Sequence, residues 1–468
     1  MRNKNTSLMR LMGPLAAFII AFFGGFESQF ILLGITAWML IWWISETVHL
    51  AVTALLPLLL FPLFGLMEAK SMSAYYAHPL VYLFFGGFII ARALEETNLH
   101  YRIALLILRR TGTGTRGLLA GFMLSTAFMS MWISNTATSI MMLPIATSVL
   151  AVLPETSAIK MERPLLLSIA WAANIGGMAT IIGTPPNMIF AGFLSEHLDR
   201  QIGFVEWLPI GLAAAATIGL AAYTILSRSL KAISLKDKEK KETELYLEEE
   251  WNRLGSMDNA QKKVAIIFTS TALLWIVRPY LGVISEHIHW SDTGISLLAA
   301  VLLFSLKGDS GKSLLEWEST SKLPWGILVL FGGGLALAGT LQQSYWFEAL
   351  EVGMKSFENT PILFWVLIMA LLGVFATELL SNMALVSALM PLVLSLSMTF
   401  GWTMEILSVP LVLGASCAFM LPMATPPNAI IFSTGKLTVS YMMARGIMLN
   451  VISVCILVAL GMVLVTMG

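Results

Sequence analysis

The chain has 468 residues, 57% of them hydrophobic and only 12% charged, with a mean hydropathy of +0.80. A soluble domain carries about 25% charged residues, so this composition excludes one and calls for a polytopic protein whose solvent is the lipid bilayer. The formal net charge of zero gives no basic surface for nucleic acid, and the two cysteines, Cys417 and Cys455, sit in apolar runs as small hydrophobes that carry no redox information.

Arg2, Lys4 and Arg10 precede an apolar run at 11–26. No small-x-small cleavage site follows it, and the next span begins almost at once, which predicts an uncleaved helix within 1–28. A hydrocarbon core about 30 Å thick takes about 20 apolar residues per helix. Further spans are predicted near 30–45, 47–66, 79–97, 164–195, 207–227, 262–282, 291–306, 323–342, 402–436 and 440–467, eleven in all with the first. Segments 117–150 and 360–398 are also apolar, but each has a polar cluster near its middle and is predicted to be a re-entrant hairpin. Leu99 to Arg110 and Ser344 to Phe357 are predicted as amphipathic helices along the membrane surface, bracing the hairpins. Segment 229–261 is a charged linker, predicted to be cytoplasmic.

The two polar clusters are copies of one motif. The first has Ser130, Ser134, Asn135, Thr136, Ala137 and Pro144; the second has Thr377, Ser381, Asn382, Met383, Ala384 and Pro391 at the same spacing. Thr184-Pro185-Pro186-Asn187 recurs as Thr425-Pro426-Pro427-Asn428. Paired prolines lack amide hydrogens and disfavour helix in the preceding residue, so spans 164–195 and 402–436 are predicted to break there. Polar groups and irregular backbone at membrane depth survive only where they face protein or line a cavity.

The matches extend to Glu46-Thr47 with Asp292-Thr293, expected at helix ends as caps, and Phe85-Gly86-Gly87 with Phe331-Gly332-Gly333. Residues 29–228 and 262–468 therefore form two repeats, each with five spans and one hairpin. An odd number of spans turns the second copy upside down, the plan of secondary transporters. With the N-terminus cytoplasmic and the C-terminus outside, 24 of the 28 Lys and Arg residues fall on the cytoplasmic side; Lys70, Arg200, Arg278 and Lys355 fall on the other.

Inverted hairpins would bring Asn135 and Asn382 together between the two broken helices. Hydroxyls, amide oxygens and freed carbonyls are ligands for a hard cation such as Na+, while freed amides and helix N-termini suit an anion. Neither motif contains Arg or Lys, so an anion there would be neutralised by co-bound cations, which is a physical basis for coupling. Glu378, beside Thr377, is expected to make a structural hydrogen bond. No His-Glu-x-x-His or Gly-x-Ser-x-Gly is present, so nothing points to an enzyme.

Ser134-Asn135-Thr136, Gly183-Thr184-Pro185-Pro186-Asn187 and their repeats resemble the divalent anion:sodium symporter family of dicarboxylate, citrate and sulfate carriers, over nearly the whole chain. The resemblance implies an all-α inner (plasma) membrane homodimer, each protomer having a scaffold and a transport domain that moves as an elevator. It implies one Na+ site at Ser130, Ser134, Asn135 and Gly183, and a second at Thr377, Asn382 and the carbonyls near Leu380 and Pro426. Substrate would touch Asn135, Thr136, Thr184, Asn382 and Thr425. Met383 departs from the family pattern, which often repeats Ser-Asn-Thr, and removes one hydroxyl. The expected activity is Na+-coupled import of a four-carbon dicarboxylate such as succinate, malate or fumarate; a Na+-independent dicarboxylate exchanger and a citrate or sulfate symporter are the alternatives.

Overall fold

A computed structural model describes residues 2–198, 202–230, 235–284, 289–309, 311–357 and 359–467. Arg200, counted with the outer loops, lies outside the described residues. The first half runs α1 (Arg2–Phe23), α2 (Ser28–Ser45), α3 (Leu50–Thr53), α4 (Leu56–Leu63), α5 (Ala69–Tyr76), α6 (Pro79–Glu96), α7 (Leu99–Thr111), α8 (Thr115–Ser130), α9 (Asn135–Val152), α10 (Glu155–Met178), α11 (Pro185–Leu198) and α12 (Phe204–Ser229). After α13 (Asp237–Arg253) the second half runs α14 (Asn259–Ile284), α15 (Asp292–Ser305), α16 (Trp325–Gln342), α17 (Tyr345–Met354), α18 (Ile362–Leu371), α19 (Asn382–Phe400), α20 (Glu405–Ala415), α21 (Pro426–Phe432) and α22 (Val439–Met467).

Every predicted span and both hairpins coincide with helices, but length alone does not reproduce the count of eleven. Among the described residues eight helices are long and apolar enough to cross a membrane, or nine if the bent pair Tyr345–Phe357 and Ile362–Ala376 is one span. Two of the eight, Asn135–Val152 and Asn382–Phe400, are the second arms of the hairpins, while Met9–Phe23, Leu50–Leu63 and Asp292–Ser305 are shorter apolar helices. Span 47–66 is interrupted at Ala54 and Leu55, and the broken span placed at 164–195 begins earlier, at Glu155. Its first turns carry Glu155, Lys160, Glu162 and Arg163, which hid that start from a hydropathy reading.

Lipid is as apolar as Leu, so helices in a bilayer associate through close packing rather than a hydrophobic gain. At Gly86, on α6, a Cβ would fall 2.6 Å from Ser296 Cβ on α15, so this glycine lets the two backbones meet.

Polar contacts join the loops that the charge count puts together. Glu162 pairs with Lys436 at 3.0 Å, and Arg163 and Arg445 both lie over the Tyr441 ring. Arg102 on α7 is buried and donates to the carbonyls of Leu254 and Gly255 at 3.0 and 2.9 Å, and to Gln261 Oε1 at 3.2 Å. Arg102 and Arg109 both stack on Trp251 of α13. Tyr101 donates to Glu250, and burial together with that carboxylate pushes its phenol up to about 12, so it stays a donor. The linker thus contains a helix docked on α7.

At the opposite end of α12 and α14, Arg278 contacts Glu206 at 2.5 Å and Asp292 at 2.7 Å. Asp292 is not the cap expected from the sequence. Ser291 occupies that position, its Oγ accepting from the Gly294 amide, while Asp292 is buried and accepts from the Phe204 amide at 2.8 Å. Glu46 does end α2, at φ 48°.

Candidate functional site

The first hairpin turns between α8 and α9. Ser134 takes extended backbone angles as the N-cap of α9, and its Oγ accepts from the Ala137 amide at 3.2 Å, satisfying one of the helix's free donors. Ser130, fully buried, places its Oγ 2.6 Å from Asn135 Oδ1 and 2.7 Å from the Ala173 carbonyl. A Cβ at Gly177 would come within 2.6 Å of Asn135 Oδ1, so this glycine makes room for the Asn amide against α10.

The second hairpin repeats this arrangement. Thr377 Oγ1 lies 2.6 Å from Asn382 Oδ1 and 2.8 Å from the Ala415 carbonyl. A π-helical stretch, Leu372–Ala376, leads into Thr377. In each hairpin three oxygens converge with one hydroxyl hydrogen among them. Lone pairs are in excess, which is the electrostatics of a cation site.

The breaks are held open by side chains. Asn187 Nδ2 donates to the Thr180 carbonyl at 2.8 Å, and Asn428 Nδ2 donates to the Ala418 and Leu421 carbonyls at 3.0 Å. Trp207 donates to the Met178 carbonyl, and Trp171 to that of Phe419. In the second repeat the amides are tied too: Glu378 accepts from Phe419, Met420 and Leu421 at 2.8, 2.9 and 2.9 Å, and from Asn450 Nδ2 at 2.8 Å. The structural role expected for Glu378 is what this geometry performs. At the matching position Met131 offers only its carbonyl, which accepts from Thr180 Oγ1.

Both hairpin tips and both Thr-Pro-Pro breaks line one cavity of about 740 Å³, within the roughly 300–1,000 Å³ of small-molecule sites. Ser134, Asn135, Thr136, Gly183 and Thr184 line it from the first repeat, and Leu380, Asn382, Met383, Thr425 and Pro426 from the second. Ser130 and Thr377 sit behind the tips, bonded to the two Asn side chains.

Four further polar residues on the wall escaped the sequence reading, Asn174, Arg92, Glu95 and Lys322, and Glu46, read only as a helix end, lines it as well. Arg92 is tied to Glu95 and Glu96 at 2.7 and 2.8 Å, and Ser319 donates to Glu96. The i,i+3 and i,i+4 spacing of that group was legible on α6. Nothing in the sequence marked Asn174, which lies upstream of the Thr-Pro-Pro motif.

A helical membrane bundle that gathers two hairpin tips and two broken helices around one cavity defines a secondary transporter. The solved structures it resembles share that fold: MtrF of Neisseria gonorrhoeae, described within a class of antimetabolite efflux pumps, at 13% identity and TM-score 0.58 over 86% of this chain and 83% of that one, and the YdaH transporter of Alcanivorax borkumensis at 14% and 0.53 over 84% and 87%. Residues 40–415 match the family CitMHS, citrate transporter, and the chain belongs to it. It is 35% identical to the sodium-dependent dicarboxylate transporter SdcS of Staphylococcus saprophyticus over 445 residues, and to that of Staphylococcus aureus over 440, in both cases covering 91% of this chain and 84% of the relative.

Proposed function

We propose that the protein is a Na+-coupled importer of C4-dicarboxylates, succinate, malate or fumarate, working by elevator-type alternating access as a homodimer in the plasma membrane. The observation that carries the reading is the pair of matched hairpin tips, each a hydroxyl, an Asn oxygen and a carbonyl within 2.8 Å contacts, facing one cavity. One Na+ is assigned to Ser130, Ser134, Asn135 and Gly183, the other to Thr377, Asn382 and carbonyls near Leu380 and Pro426. The dianion lies between them, against Asn135, Thr136, Thr184, Asn382 and Thr425, with the helix N-termini beside it adding positive potential. Arg92 is already neutralised by its two glutamates, so cations must supply most of the charge that holds the anion. The names of the staphylococcal relatives support both the sodium and the dicarboxylate.

In this reading 29–228 and 262–468 are inverted repeats joined by the 229–261 linker, with 1–28 an added helix. The N-terminus is cytoplasmic and the C-terminus outside. Arg92, Glu95 and Lys322 line the cavity, and Arg92 and Lys322 belong to the segments whose charges are counted as cytoplasmic.

Counterflow of labelled succinate in proteoliposomes tests the function. Exchange is expected in Na+ and not in choline. Equal exchange in both would favour a Na+-independent exchanger, and exchange of citrate or sulfate in preference to succinate would move the substrate class.

A further inference from the structure

We propose that Asn174 is a positioning residue of the substrate site, one that fixes the Thr425 hydroxyl as a hydrogen-bond donor toward the anion; this rests on the assignment of Thr425 to the substrate site. Asn174 sits on α10 in the first repeat, is 1% exposed, and lies on the cavity wall. Its Nδ2 is 3.1 Å from the Ala418 carbonyl and 3.1 Å from Thr425 Oγ1, both in the second repeat.

The Ala418 carbonyl is a pure acceptor, so the Asn174 atom facing it must be nitrogen, which sets the amide's orientation. Its two hydrogens are then both used, one on Ala418 and one on Thr425. Thr425 receives a hydrogen and keeps its own proton free. Thr425 occupies the N-cap of α21 but makes no side-chain capping bond, so that proton is not engaged in holding the helix. Thr425 lines the cavity, and a carboxylate there is the acceptor its proton lacks.

The arrangement has no counterpart in the other repeat. Asn174 follows Ala173 as Ser416 follows Ala415, the two carbonyls bonded by Ser130 and Thr377. Ser416 Oγ has no hydrogen-bond partner among the described residues, so it does not hold Thr184 as Asn174 holds Thr425. The oriented donor thus stands in the repeat where Met383 replaces a hydroxyl residue. A dianion with two similar ends meets two dissimilar half-sites: Thr136 and Thr184 at one end, a Thr425 oriented by Asn174 at the other.

The test is a double-mutant cycle on the KM for succinate in proteoliposomes at saturating Na+, with Asn174→Ala, Thr425→Val and the double variant. A hydrogen bond to a charged group is worth enough for each single change to raise KM about tenfold or more. The double variant is expected to be no worse than the poorer single, with Vmax and apparent Na+ affinity retained. Asn174→Ser, smaller but still able to donate one hydrogen, should give an intermediate KM and keeps the experiment readable if Asn174→Ala does not fold. Multiplying effects in the double variant would overturn the positioning role while leaving the site intact. A wild-type KM for Thr425→Val would instead remove Thr425 from the site and with it the assignment on which the inference stands.

Discussion

Asn135→Ala and Asn382→Ala are each expected to lower Na+-driven succinate uptake by about 100-fold or more, with the chain still inserted and monodisperse in detergent. Each amide is asked to do two things: offer its oxygen to a cation and its hydrogens to a carboxylate. A hydrogen bond to a charged group contributes about 1.5–3 kcal/mol, so losing both roles removes roughly 3–6 kcal/mol from the loaded site. The geometry makes the loss local. Asn135 and Asn382 are bonded to Ser130 and Thr377 at the hairpin tips, while the helix breaks are held separately by Asn187, Asn428 and Glu378. Radiolabelled uptake beside size-exclusion profiles would check it, and wild-type transport by either variant would take the tips out of the binding site.

The second large effect is on stability. Glu378→Ala is expected to destabilise the protein by on the order of 3 kcal/mol or more, because the amides of Phe419, Met420 and Leu421 lose their acceptor together and each unpaired buried donor costs about 1–3 kcal/mol. The carboxylate accepts from three consecutive backbone amides and from the Asn450 side chain, so it holds the unwound segment in place. Glu378→Gln keeps one acceptor oxygen but turns an NH2 toward donors, and should fall between wild type and Ala. Thermal unfolding of the detergent-solubilised protein reads this directly. Equal melting temperatures for the three proteins would mean the unwound segment is held by its carbonyl contacts alone.

The paired motifs made much of this site legible in advance because chemistry in a membrane is conspicuous. Ser-Asn and Thr-Pro-Pro-Asn stand out against apolar residues, and their repetition at matched spacing announced two hairpins and two breaks. What stayed hidden depended on three-dimensional contact. Asn174 belongs to no motif, and only its contact with Thr425 on the other repeat shows its place in the site. Asp292 read as a cap because it starts a helix, but an ion pair with Arg278 and a bond to the Phe204 amide claim it. The early start of α10 was masked by charged residues in its first turns, and the charge of the linker gave no sign that Trp251 anchors it under two arginines.

The central claim is that cations, rather than a fixed basic side chain, hold the anion between the hairpin tips. Its most direct measurement is succinate binding to the purified protein by calorimetry as Na+ replaces choline at constant ionic strength. The account predicts that affinity climbs steeply with Na+, with no detectable binding in choline alone; binding of the same strength in both salts would contradict it.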